Sequence, residues 1–80
     1  MLTQLRESIA QARDRFVVDS TNHARQEALW AQGVGSRAER DQREVAYTTS
    51  RAAYNRALRS LDEARNRLRT ELDVARNNAA

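Results

Sequence analysis

The reactive side chains of this 80-residue chain are fourteen arginines, eleven carboxylates and one histidine, with no cysteine and no lysine. Without cysteine, a disulfide framework and thiolate-held zinc are excluded. The single histidine, His23, falls on a seven-residue apolar line, where a lone imidazole reads as a packed core residue and not as a ligand or base. Asp62 and Glu63 are adjacent and so point in different directions on a helix, with no pocket to shift either as a general acid or base. Gly33 and Gly35 lack the lysine of a phosphate-binding loop. The reading is therefore a protein that is not an enzyme, with no cofactor, no metal and no small-molecule substrate.

Arginine supplies all of the basic charge, yet the net charge is only +3. Residues 1–32 balance, as do residues 60–80, so the excess lies in 33–59. Arg51, Arg56 and Arg59 are the candidates for contact with nucleic-acid phosphates, the alternative reading, through the arginine-rich part of the second half. It is not the favoured one, because acids interleave with the arginines and the aromatic residues sit on the apolar line instead of being offered for base stacking. No apolar run exceeds four residues, so no segment is expected to span a membrane. The first residues carry an acid and no continuous apolar stretch, so the chain is expected in the cytoplasm or packaged into a virion.

The elements that position these groups follow from the two glycines and the absence of proline. Gly33 suits the left-handed residue that ends a helix. Ser36 and Glu39 have the spacing of a capping box, which starts a helix at Arg37. Before the turn, Leu2, Ile9, Phe16, His23 and Trp30 recur every seven positions; after it, Arg40, Tyr47, Tyr54, Leu61 and Leu68 do the same. If the chain folds back about residue 35, the numbers of facing residues add to 70. Phe16 then meets Tyr54, His23 meets Tyr47, and Trp30 meets Arg40. Intervening small residues pair one off, Leu5 with Ala64 and Ala12 with Ala57. This is the pattern of a coiled-coil seam.

The sequence thus predicts an all-α fold: an antiparallel two-helix hairpin, coiled-coil-like, assembling into a larger helical bundle or complex. Helix 1 is expected over about 3–32, the turn over 33–36, and helix 2 over about 37–77, in one domain. A polar patch at Asp19 to Asn22, mirrored by Thr48 to Arg51, reads as a layer that fixes register, with Asp19 facing Arg51 and Thr21 facing Thr49. Leu72, Val74 and Ala75 project past the start of helix 1, and with Trp30 near the turn they are the candidate partner-binding residues. The expected partners are proteins, in a homo-oligomer or a hetero-assembly. The expected function is a structural or adaptor subunit, with a phage virion or a secretion-type complex as the setting.

Overall fold

The computed structural model describes residues 2–79, which form two α-helices, α1 (Leu2–Ala31) and α2 (Arg37–Ala79). They pack against each other as an antiparallel hairpin measuring 69 × 16 × 15 Å. With no proline to break either helix and a composition rich in Ala, Leu, Arg, Glu and Gln, propensity favours helix along most of the chain. The polar patch is the weakest stretch, and α1 runs through it unbroken. Thr21 Oγ1 donates to the Val17 carbonyl at 2.9 Å, so a side chain that competes for backbone partners bonds one turn back on its own helix.

The turn closes as its residues dictate. The Val34 amide donates to the Leu29 carbonyl at 2.8 Å, and the Gly33 amide to the Trp30 carbonyl at 2.9 Å. These two bonds make a Schellman motif, which needs a left-handed residue at Gly33, whose φ is +75°. On the other side the Glu39 amide donates to Ser36 Oγ at 3.1 Å, the N-cap arm of the capping box. Gly35, with φ +96°, lies against α1: a Cβ there would come within 2.8 Å of Gln26 Nε2.

Register is set by rings. Phe16 packs against Tyr54 with centroids 5.8 Å apart, and His23 stacks on Tyr47 at 4.6 Å with planes 16° apart. Phe16 also touches Tyr47, at 5.7 Å. Each such pair adds about 0.5–1.5 kcal/mol beyond the area it buries. The second line of each helix carries the close contact. Ala64 is the one buried apolar residue among the described residues, and its companions in burial are polar: Asp19, Gln26 and Ser50. The two helices approach over small side chains while the large ones lean to one side and stay half covered.

Asp19 does not meet Arg51. Only 4% exposed, it lies beside Ser50 on the second line, and its Oδ2 accepts from Arg15 Nε of its own helix at 3.1 Å. Arg51 is exposed. The difference arises because Asp19 belongs with Ala12 and Leu5, whose partners add to 69, and an arginine four residues back on the same helix reaches it without crossing the seam.

Two outcomes follow for stability, both readable by thermal or urea unfolding. Gly33→Ala meets no atom within 4 Å and costs only backbone strain, about 1 kcal/mol, whereas Gly35→Ala costs more because it also displaces Gln26. Gln26 is buried with an Nε2 that has no hydrogen-bond partner. A donor left in that state costs about 1–3 kcal/mol, so Gln26→Met is expected to raise stability; a fall would show that the amide is satisfied.

Candidate functional site

An antiparallel seam has two unlike flanks, and here each is identified by contacts. On one flank lie residues three beyond the second line. Grooves there are lined by Arg15, Asp19, Ala46, Ser50 and Ala53, and further from the turn by Leu5, Ser8, Ser60 and Ala64. This flank is polar: α2 puts Ala46, Ala53 and Ser60 on it and α1 Ser8, while Arg15, Glu63 and Arg67 bring longer charged side chains. It offers shallow grooves without an enclosed cavity.

The other flank carries the large residues of the first line and those four beyond it. Arg40 Nε donates to Glu27 Oε1 at 2.9 Å and Arg40 Nη2 to Glu27 Oε2 at 3.4 Å, a forked pair across the helices. Glu27 follows His23 by four, which fixes this as the flank of Arg6, Arg13, Ser20 and Glu27 on α1, and of Arg37, Glu44, Arg51, Leu58, Arg65 and Leu72 on α2. Arg6, Arg13, Arg51 and Arg65 are all exposed. So is Leu58, in part. Of these flanking positions the sequence reading singled out Arg51 and Leu72, for different contacts; the signal of the rest is the same seven-residue spacing, shifted by four.

Near the turn, Arg40 also lies over the Trp30 ring, with its guanidinium carbon 5.0 Å from the centroid. Such a contact is worth about 0.5–2 kcal/mol depending on exposure. Trp30 remains 37% exposed, so the ring is covered on one side only. The hydrogen bond from Arg40 holds the Glu27 carboxyl below its ordinary value of 4.5, aided by the charges of Arg40 and His23. The same bond raises Arg40 above its ordinary value.

At the opposite end the 70 register sets Leu2 against Leu68, so among the described residues α2 continues alone for about 16 Å at 1.5 Å per residue. Leu72 and Val74 are there 60% and 51% exposed, and Ala75 is exposed too. Trp30 and the Leu72, Val74 and Ala75 group thus lie at opposite ends of the rod and do not form one site. Arg51, Arg56 and Arg59 are exposed as well, but they fan out. At about 100° per residue, Arg51 and Arg56 point about 140° apart with Arg59 between them, so no single flat face carries all three.

Among the described residues no group of three or more His, Cys, Asp or Glu could hold a metal ion, and no helix is long and apolar enough to cross a membrane. No family model, no curated protein and no solved structure matches the chain.

The Glu27–Arg40 pair gives a pH signature. A carboxyl lowered by folding stabilises the hairpin fully above the ordinary value of 4.5, and that contribution is lost as pH falls from there through the lowered value. Glu27→Gln is therefore expected to melt below the parent chain at neutral pH and together with it in strong acid. A constant difference in melting temperature across that range would remove the pair from the account.

Proposed function

We propose that this chain is a non-enzymatic structural or adaptor subunit of a larger protein assembly, which it joins through its helix faces. The observation that carries the proposal is the incompleteness of the core: among the described residues no large side chain is fully buried, and the one buried apolar residue is an alanine. A single core of this size supplies only about 3–5 kcal/mol even when compact, and a rod exposes more surface than a globule of equal mass. Half-covered rings and leucines along such a rod gain burial only from another chain. The two ends offer distinct contacts: a tryptophan of the type enriched in interface hot spots near the turn, and, beyond the paired region, Leu72 and Ala75 about 60° apart on one face of α2 with Val74 about 160° round from Leu72.

The test uses the full chain at native levels in its own cells, measured by size-exclusion chromatography of the extract. The expected result is elution within a complex of defined stoichiometry. Leu72→Asp with Val74→Asp, or Trp30→Ala, is expected to release the chain from that complex while its helical circular dichroism is unchanged. Elution of the parent chain at its own 9.1 kDa mass throughout would end this reading.

A further inference from the structure

We infer that the arginine-flanked side of the hairpin is covered by a second copy of this chain, laid against it with the turns at opposite ends, giving an antiparallel four-helix bundle. This rests on the assembly reading and names one of its partners. The argument is charge and shape along that flank. On α1 the flanking positions are Arg6, Arg13, Ser20 and Glu27; on α2 they are Arg37, Glu44, Arg51, Leu58, Arg65 and Leu72. Each set holds one acid and an arginine three heptads apart, Glu27 with Arg6 and Glu44 with Arg65.

A two-fold axis crossing the rod near the Phe16–Tyr54 layer lays α1 on α1 and α2 on α2, antiparallel. Arg6 then meets Glu27 of the second copy, Arg13 meets Ser20, Glu44 meets Arg65, Arg51 meets Leu58, and Arg37 meets Leu72. No like charges oppose. The Glu27 carboxylate, already forked by Arg40, gains a second cation. The alternative axis, along the rod, puts the turns together and lays α1 on α2. It sets Arg6 against Arg65 and Glu27 against Glu44 at both edges, and like-charge juxtaposition of this kind suppresses an arrangement.

Shape agrees with charge. The first-line layers taper from rings near the turn to aliphatics at the far end. The antiparallel arrangement puts the His23–Tyr47 layer over Ile9 and Leu61 of the other copy, and the Trp30–Arg40 layer over Leu2 and Leu68. Wide layers meet narrow ones, and Phe16 and Tyr54 meet their own counterparts at the centre. The face is about 45 Å long at 1.5 Å per residue and 16 Å wide. That is roughly 700 Å² per copy, close to the ~800 Å² per partner of a stable standard interface.

A charge swap tests this. Residues 44 and 65 lie about 32 Å apart on one straight helix, so they can compensate each other only between copies. In sedimentation equilibrium the parent chain is expected at twice 9.1 kDa, with association weakening as salt rises. Glu44→Arg alone and Arg65→Glu alone are each expected to weaken association by at least about tenfold. The chain carrying both, whose composition equals the parent's, is expected to regain it. A spin label on a cysteine replacing the exposed Ala28 should lie about 35 Å or more from its counterpart in the antiparallel bundle. A monomeric parent chain, a swapped chain no tighter than the single variants, or labels within about 20 Å of each other would each overturn the inference. A monomer would leave the assembly reading standing with a different partner, because that reading is decided by the chain's mass in cell extract.

Discussion

Everything in this molecule depends on the ring contacts that lock one helix against the other, Phe16 on Tyr54 and His23 on Tyr47. A two-helix seam without such rings could slide by a turn at little cost, since small side chains such as Ala12, Ser50, Ala57 and Ala64 make few exclusive contacts. Bulky rings at fixed seven-residue intervals remove that freedom. The turn cooperates by fixing where the reversal occurs: the Schellman bonds end α1 at one place, and Ser36 starts α2 at another. Local chemistry at the glycines and long-range packing of the rings thus specify the same register, the agreement between levels that a well-defined fold requires.

The same arrangement explains why the core is thin. With small residues on the line of closest approach, the helices pack tightly there, and the buried set becomes Ala64, Ser50, Asp19 and Gln26 instead of leucines. The large residues are displaced to one flank, where each is covered on one side only. Burying Asp19 and Gln26 is costly unless their polar atoms find partners. Asp19 has Arg15; the Gln26 amide nitrogen has none. These positions reduce stability, and what they offer in return is a seam in which an apolar residue of another register has no matching layer.

The hairpin was legible in the sequence because its signals are periodic or unique. Two glycines, one serine–glutamate spacing and two seven-residue series fold the chain without ambiguity, and the pairs Phe16 with Tyr54, His23 with Tyr47 and Trp30 with Arg40 follow from arithmetic. The polar layer was not legible in detail. Asp19 had two cationic candidates, Arg51 across the seam and Arg15 one turn back, and only the one-residue offset between the first and second lines decides between them. The ends of the rod, with Trp30 at one and Leu72 at the other, could be located from numbering alone. The arginine trio at 51, 56 and 59 looked like a cluster in sequence but is spread by helical geometry, while Arg6, Arg13, Arg51 and Arg65, far apart in sequence, share a flank.

The central claim is that each chain closes on itself in this one register. Nuclear Overhauser spectra of a mixture of isotope-labelled and unlabelled chains test it directly, because filtering separates contacts within a chain from contacts between chains. The account predicts cross-peaks between the His23 and Tyr47 ring protons within single chains and none in the interchain-filtered spectrum. Their appearance only between chains would mean that α1 and α2 open and pair with those of a neighbour, which contradicts it.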